Sequence, residues 1–399
     1  MSAVTTSTVS GRARAAARVL APLDTASKNA ALEAIAGTIR ARCDEIVAAN
    51  QLDLDSAASE RSSIRDRLKL DRERCEAIAD AVLDVASLPD PVGTVLRRRT
   101  LEDGLELTQS RVPLGVVLIV YEARPNVTVD AAVLCIKSGN ACILRGSRLA
   151  EHTNEALLAA MREALETAGL PVDAVQALST NREELQQVIA DPHAADVVIP
   201  RGGEELKKML LERSRIPVLA AAGGNCHVYV DAAADPAKAL AIVVNAKVHR
   251  PGVCNAAETL LVHRDREDLV PELRAALEAQ GVEVLDDEAA WETEFLDLRI
   301  GLRVVDDLDQ ALDHIARYGT AHSEAIVTED EAAAARFTKE VDAAAVYVNA
   351  STRFTDGGVY GMGAEMGIST SRLHARGPLG LEELTTTKYV VVGDGHIRH

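Results

Sequence analysis

The sequence predicts an α/β protein with mostly parallel sheets, and three observations lead there. Beyond about residue 105, apolar runs of strand length alternate with segments of helical period, the pattern of successive βα units. Several runs, 116–120 foremost, are continuously apolar, as strands covered on both faces must be. The length, 399 residues, accommodates two or three domains rather than a single core.

The elements follow in order. Residues 12–58 read as helical, with Ala and Leu recurring every three or four positions through 30–49 and charges between them. A second amphipathic run, 71–86, takes Asp71 as its N-cap and stops at Leu88-Pro89-Asp90-Pro91. Residues 105–112 alternate as a strand and 116–120 form a buried one. A helix at 131–138 leads through Gly139-Asn140 into a strand at 141–144, and the next helix covers 154–168. Thr180 and Glu183 are spaced as a capping box for a helix ending near Asp191-Pro192. The strand 197–199 passes through Gly202-Gly203 into a helix at 204–213. In the second half, strands at 218–220, 227–230 and 259–262 alternate with helices at 236–248 and 270–280. Asp307 and Gln310 make another capping box, for a helix that stops at Gly319. The β-branched segment 385–392 is a strand that must pair with something, a neighbouring subunit included.

Composition excludes several functions. Acidic residues outnumber basic ones 61 to 43, which disfavours a nucleic-acid partner because phosphate-backbone affinity needs clustered Lys and Arg. The first ten residues are polar and small, and no apolar run approaches the ~20 residues of a membrane helix. A cytoplasmic protein without a membrane partner is expected. The six cysteines include no C-x-x-C pair, His396 and His399 read as an exposed tail, and no metal site is expected.

One cysteine stands apart. Cys254 lies in Lys247-Val-His249-Arg250-Pro-Gly-Val-Cys254, with cations close by. A helix start is expected to follow, and both features would raise the thiolate fraction. The other five cysteines sit in apolar surroundings and read as small buried hydrophobes. With His249 or His227 as base, Cys254 also fits a cysteine hydrolase. The glycine-rich stretch 357–367 misses the dinucleotide spacing and has no strand before it. Residues 197–203 run strand, glycine turn, helix, which fits either a phosphate-facing N-terminus or an ordinary βα turn.

Pro113-Leu114-Gly115-Val116 with Arg124-Pro125-Asn126, Lys137-Ser138-Gly139-Asn140, Leu144-Arg145-Gly146-Ser147, Ala222-Gly223-Gly224-Asn225 and Cys254 occur in the order of the aldehyde dehydrogenase superfamily, which the chain resembles from about residue 12 to 394. Longer motifs closely resemble its gamma-glutamyl phosphate reductase family: Tyr121-Glu-Ala-Arg-Pro-Asn-Val-Thr-Val-Asp130, Gly224-Asn-Cys-His-Val-Tyr-Val-Asp231, Arg250-Pro-Gly-Val-Cys-Asn255, His322-Ser-Glu-Ala-Ile326 and Leu373-His-Ala-Arg-Gly-Pro378.

The resemblance implies an aldehyde dehydrogenase-like fold. Its parts are a Rossmann-type NADP-binding domain (1–100 and 113–224), an α/β catalytic domain (225–384) and a small β oligomerisation flap (101–112 and 385–399). It implies NADPH-dependent reduction of gamma-glutamyl 5-phosphate to glutamate 5-semialdehyde and phosphate, the second step of proline biosynthesis. The implied protein is a homo-oligomer with a functional link to glutamate 5-kinase. By motif position Cys254 is the nucleophile that forms a thioacyl intermediate. Asn126 is the amide donor to the oxyanion, and such a donor typically lowers the barrier by about 2.7–4 kcal/mol. Arg145, Ser147 and Arg148 stand in the segment that the superfamily writes Lys-Pro-Ser-Glu, and the arginines suit a 2′-phosphate that a Glu would repel. Gly202 and Gly203 match the turn beneath the pyrophosphate, and Glu294 the glutamate that holds the nicotinamide ribose. Arg124, Lys137, Arg353 and Arg376 are the candidate ligands for the substrate's anions. Ala221 replaces the glutamate that activates water in hydrolytic members, which favours transfer to phosphate. A hydrolytic aldehyde dehydrogenase and, from a different class, the cysteine hydrolase stay as the alternatives.

Overall fold

The computed structural model describes residues 9–60, 62–220 and 223–398, so Ala221, Ala222 and His399 lie outside the described residues, as do the first eight. The chain divides into two compact units. The first comprises Met1–Ala220, Met362–Gly367 and Leu379–His399, and the second Ala221–Gly361 and Ile368–Pro378.

The first unit opens with helices, Val9–Leu20, Thr25–Ala41, Cys43–Ser56, Ser62–Leu68 and Arg72–Ser87. Asp24 and Asp71 cap two of them, the latter accepting from the Arg74 N–H at 3.0 Å. A parallel four-stranded sheet follows, in the order Val175–Ala177, Ala141–Arg145, Val116–Tyr121, Val197–Arg201. Every residue of Val116–Tyr121 is buried, as its unbroken apolar sequence requires. The segment 218–220 contributes a single bridge, Val198 to Val218, rather than a strand.

Two local expectations are corrected here. The helix expected at 131–138 starts at Pro125 and runs to Lys137, with Pro125 in the first turn where its missing N–H costs nothing. The helix Arg182–Ala190 is capped by Asn181, which accepts from Glu183 N at 2.8 Å, because Thr180 instead donates to Glu151 at 3.1 Å.

The unit also carries an antiparallel sheet of three strands, Val95–Thr100, Glu106–Pro113 and Thr385–Val392, with the middle strand pairing to both others. Its first strand begins before residue 101, so the sheet is larger than the segment 101–112 with the C-terminal strand. The C-terminal strand leaves Tyr389 and Val392 each 62% exposed.

The second unit is built on six parallel strands in the order Ala345–Val348, Ser323–Val327, Cys226–Val230, Ala257–His263, Arg299–Val305, Glu283–Leu285. Val228 and Val230 point into one cluster with Val243 and Leu277, from the helices Pro236–Val248 and Val270–Ala279. Tyr229 points the other way, toward Ile315 and Phe337 from Leu308–Tyr318 and Glu331–Glu340. Both faces are therefore covered, and with so few aromatic residues the filling is largely aliphatic. Asp307 caps Leu308–Tyr318 through Gln310 N at 2.9 Å, while the Gln310 amide oxygen accepts from Asp306 N, one residue earlier than a capping box would have it. Among the described residues no helix is long and apolar enough to cross a membrane.

Candidate active site

In the second unit, Cys226 and Ala257 begin neighbouring parallel strands in register. The turns that precede them, carrying Gly224 and Cys254, are thereby set side by side. Cys254 sits in a turn that leads into the strand Ala257–His263, so the expected helix start is corrected to a strand and no helix N-terminus acts on the thiol. Its position is set through its backbone. The Cys226 thiol donates to the Cys254 carbonyl at 3.2 Å, and any side chain at Gly224 would overlap that same oxygen. Gly224 N donates to Glu294 Oε1 at 2.6 Å, which ties Glu294, the expected ribose ligand, to the turn against Cys254. Next in sequence, Asn255 donates to the Thr355 carbonyl at 2.8 Å, and Thr352 to the Asn255 carbonyl at 2.7 Å.

All six cysteines are free thiols, and only Cys254 is partly exposed. Burial pushes Cys75 up to about 12 and raises Cys135 and Cys226 as well, so these sulfurs stay protonated and inert. Arg353 lies close enough to Cys254 for its charge to be felt. Burial and then the charge of Arg250 lower the proton affinity of Arg353, while Cys254 raises it. Arg376 is differently placed, since it donates to Asp342 Oδ1 at 2.5 Å and to the Asp342 carbonyl at 3.1 Å. Its charge is already met within its own unit. The histidines of the hydrolase alternative are not arranged as bases: His227 is wholly buried with Nδ1 2.9 Å from Glu324, and His249 is an exposed helix cap.

In the same unit, Lys247 and Glu258 form an ion pair of 2.6 Å that is closed off from solvent on both sides. Burial raises Glu258 to about 7, against the opposing pull of Lys247. Removing the lysine leaves that carboxylate unpaired, so Lys247→Met should cost roughly 3–5 kcal/mol of stability in urea denaturation at pH 8. The folded state then holds a proton that the unfolded chain releases above its ordinary value near 4.5, so stability falls as pH rises through that window. The variant should lose less at pH 5 than at pH 8, and an equal loss at both would refute this account.

In the first unit the expected residues gather at the carboxyl ends of the parallel strands, the usual ligand-binding edge of such a sheet. Asn126 is exposed in the first turn of Pro125–Lys137 and donates to Asp130 Oδ2 at 2.9 Å. Arg124 is the half-buried residue that precedes this helix. Arg145 donates to the Thr180 carbonyl at 3.0 Å, and its Nε is buried without a partner among the described residues. Burial, followed by the like charge of Arg182, lowers its proton affinity. Ser147 caps the short 3-10 turn Arg148–Ala150, and Arg148 is exposed. Gly146 lies on the wall of a cavity of about 270 Å³, together with Tyr121, Asn154 and Thr180. Gly203 starts the helix Glu204–Arg213, next to Gly202, and its N–H donates to Glu122 Oε1 at 3.0 Å. An anion bound there has to displace that carboxylate.

Lys137 is corrected outright. It is fully buried and donates to Asn29 Oδ1 at 2.5 Å and to the Ala86 carbonyl at 2.7 Å, so it ties its helix to the N-terminal helices and offers no face to a substrate. Four further residues bond to or act on these candidates: Cys226, Glu122, Asp130 and Arg182. The first three lie inside the quoted motifs, which flagged the segments without saying which residue each side chain meets. Arg182 had no signal beyond its charge. Among the described residues, no group of three or more His, Cys, Asp or Glu is arranged to hold a metal ion.

A model of the aldehyde dehydrogenase family matches residues 2–293. The chain is 52% identical to a gamma-glutamyl phosphate reductase of Thermobifida fusca, over 98% of each chain, and 50% identical to one of Heliobacterium modesticaldum, over 97% of each. Among solved structures it resembles the gamma-glutamyl phosphate reductase of Thermotoga maritima, with a TM-score of 0.96 at 44% identity, covering 98% of this chain and 99% of that one. An acetylating aldehyde dehydrogenase from Geobacillus thermoglucosidasius shares the fold, with a TM-score of 0.71 at 18% identity, covering 98% of this chain and 97% of that one.

Proposed function

The chain belongs to the aldehyde dehydrogenase family, and on that premise we propose that it reduces gamma-glutamyl 5-phosphate to glutamate 5-semialdehyde and phosphate with NADPH, the second step of proline biosynthesis. The observation that carries this reading is the 52% identity to a reductase of that name across nearly the whole of both chains. The setting of Cys254 agrees with it, as the one thiol that is partly exposed and held by its backbone.

In the mechanism, the Cys254 thiolate attacks the acyl carbon, the C–O bond to phosphate breaks, and the phosphate leaves with a proton from solvent. The product of this step is a thioester on Cys254. NADPH, when bound, supplies the hydride that reduces it. The C–S bond then breaks, releasing the aldehyde and restoring the thiolate. Asn126 stabilises the charge on the carbonyl oxygen with its amide hydrogen, as does the backbone N–H of Cys254. Alanine at 220, 221 and 222 offers no base to activate water, so the thioester is kept for exchange with phosphate. Arg353 is the substrate-anion ligand best supported, because its charge and that of Cys254 act on each other.

The residues present fit the phosphorylated dinucleotide. Arg145 carries a buried N–H without a partner and is crowded by the like charge of Arg182. A 2′-phosphate would relieve both, with Arg148 and Ser147 beside it, while Gly202 and Gly203 would receive the pyrophosphate and Glu294 the ribose. The exposed strand Thr385–Val392 suits association with a second copy of the chain. The acyl phosphate must come from a kinase, which is the sense of the link to glutamate 5-kinase.

The reverse reaction tests the reading. With glutamate 5-semialdehyde, NADP reduction should depend on inorganic phosphate and be at least tenfold slower without it. Phosphate-independent reduction would instead establish the hydrolytic alternative.

A further inference from the structure

The arginines named so far answer the phosphate and the α-carboxylate of the substrate, but nothing yet answers its α-ammonium group. We infer that Asp130 is the ligand of that ammonium and so sets the preference for an amino-acid acyl phosphate over one without the amino group. The inference rests on the reaction proposed above and on the geometry of one helix.

Asp130 stands one turn after Asn126 on the helix Pro125–Lys137, and its Oδ2 accepts the Asn126 amide at 2.9 Å. The carboxylate thus adjoins the group that receives the substrate's carbonyl oxygen. One amide hydrogen of Asn126 is taken by Asp130, and the other is left to face that oxygen. In a glutamyl chain the carbonyl oxygen and the α-nitrogen are five bonds apart, a span of roughly 6 Å when extended. Two hydrogen bonds of ordinary length, one to Asn126 and one to Asp130, bridge such a span across the 2.9 Å link.

The electrostatics favour a missing cation. Asp130 is half-buried, and among the described residues no lysine or arginine bonds to it; Arg201 acts on it only through space. A carboxylate withdrawn from water is costly to keep ionised without a bonded cation. Burial accordingly raises Asp130 to about 6, with the Asn126 bond and Arg201 opposing, so it is still ionised at neutral pH. An incoming ammonium supplies the partner that the fold does not. A purely structural role would need only the hydrogen bond to Asn126, which an asparagine at 130 also makes.

That difference defines the experiment. Phosphate-dependent NADP reduction by the full chain is measured with glutamate 5-semialdehyde and with 5-oxopentanoate, the same aldehyde lacking the amino group. Asp130→Asn keeps shape and the Asn126 bond but removes the charge. It should raise KM for the amino substrate by roughly 10- to 100-fold, the worth of a hydrogen bond between charged groups. Its kcat/KM for 5-oxopentanoate should stay within about threefold, so the preference for the amino substrate collapses. Equal losses on both substrates, or none on either, would overturn the assignment. Asp130→Ala, which also releases Asn126, should lower kcat on both. Wild-type protein inactive on both aldehydes would fault the proposed reaction itself, whereas an active wild type with an unchanged ratio in Asp130→Asn would fault only the role of Asp130.

Discussion

Cys254→Ala should lower phosphate-dependent NADP reduction by at least roughly 10⁴-fold, because without the sulfur no thioester forms and only binding and oxyanion stabilisation remain. The same variant should erase the single fast-reacting thiol in titration with a thiol reagent. The other five cysteines are buried, and those whose proton affinity is shifted are shifted upward, so they should react only on unfolding. Activity within 100-fold of wild type would remove Cys254 from the chemistry.

Gly224→Ala should lower the rate by roughly 100-fold without touching a reactive group. The new methyl would overlap the carbonyl oxygen of Cys254, which is backbone and cannot swing aside as the end of a side chain can. The turn must shift, breaking the Cys226 thiol bond to that carbonyl or the Glu294 bond to Gly224 N. A displacement of about 1 Å at a nucleophile costs roughly 100-fold in rate, and overpacking a close contact costs about 1–3 kcal/mol. The informative control is Gly37→Ala, within the helix Thr25–Ala41, where nothing lies within 4 Å of the added carbon. That variant should be neutral or more stable by about 0.5–1 kcal/mol. Wild-type kcat in Gly224→Ala would show that the Cys254 turn is not held by this contact.

The strands were legible wherever burial on both faces leaves an unbroken apolar run, as in Val116–Tyr121. The start of the helix at Pro125 was not. That helix is buried on nearly every side, so it lacks the polar stripe by which a helical period is recognised. The cap of Arg182–Ala190 was misplaced by one residue, because Thr180 and Asn181 are both able caps and the choice fell to Glu151, 29 residues away. The candidate site divides in the same way. Cys254 and Asn126 were named from their motifs, yet the partners that position them, Cys226 and Asp130, have roles only in three dimensions. Lys137 shows the opposite failure: a charge inside a family-like motif reads as a ligand until Asn29 and Ala86, 108 and 51 residues away, are seen to accept its hydrogen bonds.

The sequence alone determined the α/β class and singled out Cys254 as the candidate nucleophile. Both are written locally, in the order of apolar runs and in motifs of adjacent residues. Only the tertiary structure decided which polar side chains are committed to the fold and which stay open to a ligand. A buried charge must find its partner wherever the chain brings one, and for Lys247 that partner is Glu258, whereas for Asp130 no bonded cation is present among the described residues. Such pairings depend on contacts between distant segments, which no local pattern of residues encodes.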